Sequence, residues 1–343
     1  MPLHYSDDAS VHEKTDAFDW RESWYCNFFD TESRFFGTAW HGVRPNQERG
    51  ESVFVLFENG QPPLIYDVDT HMKVDKDVGE ERLSAGHHRF ECVEPWSHWK
   101  VHYDNGTAKA TVDWKQFSEV CDWEEREAVV SDGKEFLAAA KHYEAAGAVT
   151  VNAEVDGRKI EFAGFGERDR AWGVRNYGPL SYSWWHVAQF PDGDAMHAWA
   201  MVTPDGEMRL YGFLHRDGVS RPTVKFTCEV EYDGEDGPPI KSSWHLIDDQ
   251  GRELICTEMT MMQELAFRTE ADGAALETGR AHPEQKTGLW YWTWQRCVRD
   301  DGVIGHGMVD LNLWRGENRS SFEATGPCGA LYTYGLETSS SAA

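Results

Sequence analysis

Turn signals divide the sequence at short and regular intervals, and this division constrains the fold more than any other feature. Asp104-Asn105-Gly106, Asp156-Gly157 and Asp300-Asp301-Gly302 each separate two stretches in which apolar and polar residues alternate. Aspartate or asparagine followed by glycine favours tight hairpin turns, and alternation with a period of two is typical of half-buried strands. Well over a dozen such strands are predicted, and no helix–strand alternation supports a parallel sheet. The fold class is therefore all-β, with two consecutive antiparallel sandwiches or barrels.

One segment departs from this pattern. Residues 134–146 consist largely of strong helix formers and end at Gly147, a favourable helix stop. A short helix is predicted here, between the two β domains. The predicted organisation is an N-terminal arm over 1–20, a first β domain over 21–147, a second over 148–335 and a disordered tail over 336–343.

Charge and cysteine content restrict the partners and the compartment. The 343 residues include 59 acidic and 33 basic side chains, and the net charge of −26 repels phosphate backbones and anionic membranes. We therefore expect no nucleic-acid partner. Seven scattered cysteines without a CxxC pair favour reduced thiols in the cytoplasm. The sequence contains no signal-peptide pattern and no run of about eighteen apolar residues, so we expect no membrane insertion.

Tryptophan is unusually abundant, with 16 residues in the chain. Indole rings can line a cavity for a flat or hydrophobic ligand. Large β-sandwiches and barrels also use aromatic residues in their cores, so abundance alone leaves both roles open.

The glycine-rich stretch Gly164–Gly178 lies near the middle of the chain and carries acids, arginines and aromatic rings together. Its glycines predict a strand end and a tight connection. Asp169 stands between two arginines, which would lower its pKa and make it a fixed anion, whereas desolvation by Trp172 would raise its pKa and make it a proton donor. Glu167 competes for the same roles. The alternative is a buried Asp–Arg pair that only holds a domain junction together.

The last predicted hairpin is the second candidate site. Its second strand places His306 and Asp310 on one face, and Trp292 alternates with other tryptophans on the facing strand. This face is either a solvated surface or the wall of an aromatic cavity. His186, beside two tryptophans, is a third candidate, although a lone histidine in a strand is more often a satisfied core residue.

Common cofactor and metal motifs are absent from the sequence. Gly164 and Gly166 lack the third glycine of a dinucleotide fingerprint, and there is no P-loop, HExxH or GxSxG motif. The fifteen histidines form no cluster with metal-ligand spacing, although ligands distant in sequence stay possible. We therefore expect neither a cofactor nor a metal.

Three motifs together resemble a known group of proteins. Ser23–Phe28 near the start, Gly164–Gly173 in the middle and Gly305–Asp310 near the end resemble a bacterial family of largely unknown function. That family is similar to the hydroxyneurosporene synthase (carotenoid 1,2-hydratase) and AttH-like proteins. The resemblance covers roughly residues 20–315 and is most specific in the central motif. It implies two lipocalin-like β domains that hold a hydrophobic substrate in the cleft or barrel interior between them.

The resemblance also implies an activity. Lyases of this superfamily add water to an alkene after protonation by a carboxylic acid, and Asp169 matches that acid. The usual His-Ser after the aspartate is Arg170-Ala171 here, which removes a potential proton relay. The candidate catalytic residues are Asp169, Glu167, His306 and Asp310, and the candidate substrate-binding residues are Trp172, Tyr177, Arg168, Arg175, His186, Trp24 and Trp292.

The leading hypothesis is a cofactor-independent lyase or isomerase for a terpenoid, steroid-like or polyketide substrate. Arg168 and Arg175 would set the charge state of Asp169, and Trp172 with Tyr177 would stabilise a developing cation. His306 and Asp310 would position water. The alternatives are a lipocalin-like carrier or sensor of hydrophobic metabolites without turnover, and a pericyclase. A homodimer is a further option.

Overall fold

The structure is a computed structural model, and its described residues form two large antiparallel β-sheets that pack against each other. The described ranges are 3–79, 83–122, 129–131, 134–136, 141–175, 181–202, 206–269, 276–278, 288–313, 318–326 and 330–332.

One short helix precedes the strands and a 3-10 turn, Pro45–Gln47, follows the second strand. The elements of the first half are α1 (Tyr5–Ala9), β1 (Trp20–Asp30), β2 (Phe35–Arg44), β3 (Arg49–Glu58), β4 (Ile65–Lys73), β5 (Ser84–Ala85), β6 (His88–Glu94), β7 (His98–Asp104), β8 (Ala108–Gln116), β9 (Val120–Asp122), β10 (Val129–Ser131), β11 (Lys134–Phe136), β12 (Lys141–Val155) and β13 (Arg158–Val174). Those of the second half are β14 (Tyr182–Gln189), β15 (Ala195–Val202), β16 (Met208–Arg216), β17 (Val219–Tyr232), β18 (Pro239–Asp248), β19 (Glu253–Thr269), β20 (Leu276–Thr278), β21 (Gly288–Arg299), β22 (Ile304–Leu313), β23 (Ser321–Thr325) and β24 (Ala330–Tyr332).

The two sheets are barrel-like. In the first, the strand order is β4-β3-β2-β1-β13-β12-β8-β7-β6-β5, and the sheet curls until the Ser52 hydroxyl of β3 donates to the Ala85 carbonyl of β5 at 3.2 Å. In the second, the order is β18-β17-β23-β16-β15-β14-β22-β21-β19-β20, and pairing of β18 with β19 closes the barrel. The predicted all-β fold with two consecutive lipocalin-like domains is confirmed.

The strands at the contact between the sheets are buried on both faces. In β1, Trp24 and Phe28 face the interior of the first barrel, while Tyr25 and Phe29 pack against the second sheet. A strand with one solvated face alternates apolar and polar residues, but one buried on both sides needs large apolar groups at consecutive positions. The aromatic run of β1 is therefore explained by its position between a barrel interior and a second sheet.

The helix predicted over 134–146 is wrong for the residues of this range that the structure describes, 134–136 and 141–146. Residues 134–136 form β11, and β12 begins at Lys141, where the chain pairs in register with β13 from Lys141↔Trp172 onward. Tertiary pairing therefore overrides the helix propensity of the alanines, because the strand buries residues on both faces. The chain passes from the first sheet to the second after β13, whereas the predicted boundary at 147/148 falls within β12.

Among the described residues, no helix has the length and apolar character needed to cross a membrane. Six of the seven cysteines lie in this part of the chain, and all six are free thiols. The tail over 336–343 lies outside the described residues.

Candidate active site

The central glycine-rich motif is the middle of a continuous strand, so the predicted tight connection within it is wrong. β13 runs unbroken from Arg158 to Val174 and pairs with β1 on one side and β12 on the other. A Cβ atom on Gly164 would lie 1.8 Å from the Phe29 carbonyl oxygen, and one on Gly166 would lie 2.1 Å from that of Asn27. These glycines permit close approach of β1, not a reversal of the chain.

Alternation along β13 separates the charged residues of the motif. Arg168 and Arg170 point into the first barrel, whereas Glu167 and Asp169 point toward the second sheet. Consecutive side chains of a strand leave opposite faces. Arg168 is therefore not placed to set the charge state of Asp169, because the sheet itself lies between them.

The arginines have their own acidic partners inside the first barrel. Asp8, fully buried in α1 of the N-terminal arm, lies 2.7 Å from the Arg168 guanidinium and also accepts the Trp99 indole N–H at 2.9 Å. Arg170 lies 2.8 Å from Glu22. Burial raises the pKa of Asp8, but Arg168 and the hydrogen bonds outweigh it and hold that pKa below its usual value.

Two predicted substrate-binding tryptophans also belong to this interior. Trp172 stacks on His12 of the arm at 3.7 Å between ring centroids, and the Arg170 guanidinium lies over Trp24 at 5.0 Å. The N-terminal arm therefore reaches into the first barrel, where Trp172 contacts the arm directly and Trp24 contacts Arg170.

The face of the first sheet that meets the second sheet carries a row of functional side chains. Cross-strand pairing places Trp40, Tyr25, Asp169 and Glu144 side by side on four adjacent strands, β2, β1, β13 and β12. Asp169 keeps 19% of its side chain exposed, whereas Glu144 is fully buried. The Asp169 carboxyl is therefore the accessible acid of this row.

The second sheet presents a matching row. Cross-strand pairing aligns Trp199, Trp185, Asp310 and Trp292 on β15, β14, β22 and β21. The ring of Tyr25 lies edge-on to Trp185 and Trp292, with centroids 5.4 and 6.1 Å apart. The two rows thus face each other and form an aromatic junction that contains a carboxylate on each side.

Asp310 is held by indole groups. Its carboxylate accepts the N–H groups of Trp290 and Trp292, the latter at 2.9 Å, and the Asn312 amide at 2.6 Å. Burial, assisted by the charge of Asp169, outweighs these three hydrogen bonds and raises the pKa of Asp310 to about 7. A carboxyl group of this kind exchanges a proton at neutral pH.

Asp169 has a histidine partner that the sequence prediction missed. His142 Nε2 lies 3.2 Å from Asp169 and 3.0 Å from Glu144, and Glu144 accepts the Trp185 indole N–H at 2.8 Å. Although burial alone would lower it, the two carboxylates raise the pKa of His142 to about 9. His142 and Glu144 lie on one face only because this segment is a strand, so the helix prediction concealed them.

A second histidine lies deeper at the same junction. His197 Nδ1 is 3.3 Å from Glu167 and 3.8 Å from Glu144, and all three side chains are fully buried. Burial and the charge of Glu144 raise the pKa of Glu167 well above its ordinary value. Gln189 Nε2 lies 3.4 Å from Glu167 and donates to the Gly166 carbonyl at 3.1 Å.

The remaining predicted residues lie elsewhere or cannot be placed. His306 shares the inter-sheet face but lies four residues from Asp310, hydrogen-bonded to Ser33 at 2.6 Å, and burial lowers its pKa to about 4. His186 is buried in the second barrel among Trp184, Phe226 and Trp244, and burial lowers its pKa to about 3. Arg175 follows the end of β13, and Tyr177 lies outside the described residues.

Two cavities among the described residues lie away from this junction. One of about 700 Å³ adjoins His88 and Tyr103 on the first sheet, and one of about 480 Å³ adjoins Asp194 and His215 on the second. Access to the junction is instead indicated by the partly exposed Asp169 and Trp290 side chains.

Comparison with known proteins now places the chain. Residues 5–312 match the family described as a domain of unknown function, DUF7064. The chain belongs to this family. Among curated proteins, none matches the chain at a significant level.

Solved structures with this fold come from a wider group. The alignment with the structure of CghA with Sch210972 covers 89% of this chain and 93% of the CghA chain, with 13% identity and a TM-score of 0.59. The alignment with an AttH-type protein from Nitrosomonas europaea covers 91% of this chain and 96% of that protein's chain, with 14% identity and a TM-score of 0.51. The alignment with kievitone hydratase from Nectria haematococca covers 90% of this chain and 94% of the hydratase chain, with 10% identity and a TM-score of 0.50. The fold that the resemblance implied is thereby confirmed, since the AttH-type protein and kievitone hydratase share it.

Proposed function

We propose that this protein is a cofactor-independent lyase or isomerase that binds a hydrophobic terpenoid, steroid-like or polyketide substrate at the junction of the two sheets. The observation that carries the proposal is the pairing of Asp310 and Asp169 across an aromatic junction, with the pKa of Asp310 raised to about 7. The fold shared with kievitone hydratase, whose name states a hydration, supports this class of chemistry.

Hydration of an alkene at this site has two steps, proton transfer and addition of water. Neutral Asp310 gives its proton to one alkene carbon, whose π electrons form the new C–H bond and leave a cation on the other carbon. The rings of Tyr25, Trp185 and Trp292, which meet edge-on at the junction, stabilise the cation. Water adds to the cation and loses its proton to Asp169, and exchange with solvent resets both acids. Dehydration is the reverse, and loss of a different proton gives an isomer.

The proposal is tested by incubating the protein with unsaturated terpenoids, steroids and polyketides and analysing the products by liquid chromatography and mass spectrometry. Hydration adds 18 Da, dehydration removes 18 Da, and isomerisation or cyclisation changes only retention. We expect Asp310→Asn and Asp169→Asn to reduce turnover at least roughly 100-fold, while Asp113→Asn, a surface acid paired with His98, does not. A tightly bound compound that is recovered unchanged would instead indicate a carrier.

A further inference from the structure

A fully buried trio of metal-binding groups lies behind the partly exposed Asp169. Glu144, Glu167 and His197 each offer one ligand atom, and these three atoms lie within 4.8 Å of one another. The measured separations from His197 Nδ1 are 3.3 Å to Glu167 Oε1 and 3.8 Å to Glu144 Oε2. Such spacings are those of neighbouring ligands around a single first-row cation, since each metal–ligand bond is about 2.0–2.2 Å long.

The charge of this region favours a cation. Glu144, Glu167 and Asp169 share the inter-sheet face, whereas Arg168 and Arg170 of the same strand face the barrel interior and are paired there. Carboxylates that lose their hydration without a compensating positive charge are strongly unfavourable. His142, which lies 3.0 Å from Glu144 and 3.2 Å from Asp169 and has its pKa raised to about 9, offsets one of these negative charges. Protons or a bound cation must offset the remainder.

One buried carboxylate oxygen is available to bind a cation. Oε1 of Glu144 is occupied by Trp185 and His142, but Oε2 accepts no hydrogen bond from any residue that the structure describes, although Glu144 is fully buried. This oxygen is the one directed toward His197. Gln189, which contacts Glu167 and is also buried, has a side-chain oxygen that likewise accepts no hydrogen bond within the described ranges. A bound ion is one of the groups that can satisfy a buried acceptor of this kind.

We propose that Glu144, Glu167 and His197 bind a divalent first-row cation. One imidazole nitrogen with carboxylate oxygens suits Zn²⁺ or Mn²⁺, whereas Mg²⁺ and Ca²⁺ prefer oxygen ligands alone. Because the three side chains are fully buried, the ion does not contact the substrate, so this proposal goes beyond the proposed function and does not depend on it. Glu144 and Glu167 belong to the first sheet and His197 to the second, so the ion cross-links the two sheets.

The experiment uses the full chain, purified without chelator. Elemental analysis is expected to find close to one equivalent of zinc or manganese per chain. After removal of the metal with dipicolinate, the melting temperature is expected to fall by about 5 °C or more, and stoichiometric Zn²⁺ or Mn²⁺ restores it. A chain that is purified without metal and whose melting temperature does not respond to excess Zn²⁺ or Mn²⁺ overturns the proposal.

Substitutions in the trio distinguish charge compensation by a bound ion from charge compensation by protons that the carboxylates share. We expect Glu167→Gln and His197→Gln to abolish the response to metal, while His186→Gln, a buried histidine of the same barrel outside the trio, retains it. If protons alone offset the charge, Glu167→Gln relieves repulsion and leaves the melting temperature unchanged or higher, with no response to metal in the parent protein. Asp169→Asn is expected to lose turnover and keep the ion, so failure of the proposed function and failure of the metal site are distinguishable.

Discussion

Arg168 and Asp169 are adjacent in the sequence and lie on opposite sides of the first sheet. The Arg168 guanidinium binds Asp8 at 2.7 Å inside the first barrel, whereas Asp169 faces the second sheet and lies 3.2 Å from His142. One motif therefore has two roles. Its odd-numbered residue Asp169 faces the candidate site, whereas its even-numbered residue Arg168 holds the N-terminal arm. The Arg–Asp pair that matters for stability is a long-range one.

The first prediction concerns that pair. Arg168→Met leaves the Asp8 carboxylate buried without its main partner, and breaking a buried ion pair in this way costs about 3–5 kcal/mol. We expect urea denaturation to show a loss in this range and limited proteolysis to cleave the released arm. Arg158→Met removes a solvent-exposed pair between Arg158, on the same strand, and Glu58, and it should cost much less because water screens that pair. Equal losses for the two variants would contradict the buried role of Arg168.

A second prediction follows from the raised pKa of Asp310. Because its pKa in the folded state is above the unfolded value of 3.8, its contribution to stability is complete below about pH 4 and is lost as pH rises through about 7. The rise from 3.8 to about 7 corresponds to at most ~4 kcal/mol, and partial exposure of the side chain reduces this to roughly half. Thermal unfolding between pH 5 and 9 should therefore show that Asp310→Asn gains stability relative to the parent protein as pH rises. A difference that is constant with pH would show that Asp310 is ionised throughout.

The indole clamp on Asp310 gives a third prediction. The Trp292 N–H favours the ionised carboxylate, so its loss in Trp292→Phe should raise the pKa of Asp310 further while the aromatic ring is kept. Titration of ¹³C-labelled aspartate carboxyl groups by NMR should show this as an upward shift of about one pH unit. Trp185→Phe is the matched control, because its N–H goes to Glu144. A similar shift in both variants would mean that the effect comes from packing and not from the hydrogen bond.

How much of this site could be predicted depends on whether its contacts are local. The hairpin that carries Asp310 and Trp292 was predictable from alternation and an Asp-Gly turn, and the structure places the two residues directly opposite each other. The side chains of Arg168 and Asp169 point in opposite directions because consecutive residues of a strand alternate between its two faces. The glycines of this stretch instead led to the prediction of a turn, in which this alternation does not hold. Gly164 and Gly166 lie instead where β1 approaches closely, a cause that the local sequence does not reveal.

Other parts of the site depend on contacts between distant segments. His142 and Glu144 were hidden in an alanine-rich stretch with strong helix propensity, and only pairing with β13 makes it a strand. Glu167 meets His197 because the two sheets pack face to face, and no spacing in the sequence encodes that contact. The role of the N-terminal arm was missed for the same reason, since the partner of Asp8 is 160 residues away.

Transfer of solvent deuterium to carbon is the most direct test of whether Asp310 donates a proton to the substrate. The substrate identified by product analysis is incubated with the protein in D₂O, and single-turnover incorporation is followed by mass spectrometry for the parent protein and for Asp310→Asn. We expect the parent protein to introduce one deuterium at a former alkene carbon with a rate that falls as pH rises through about 7, and Asp310→Asn to be slower by roughly 100-fold or more. Equal incorporation by the two proteins would contradict proton donation by Asp310.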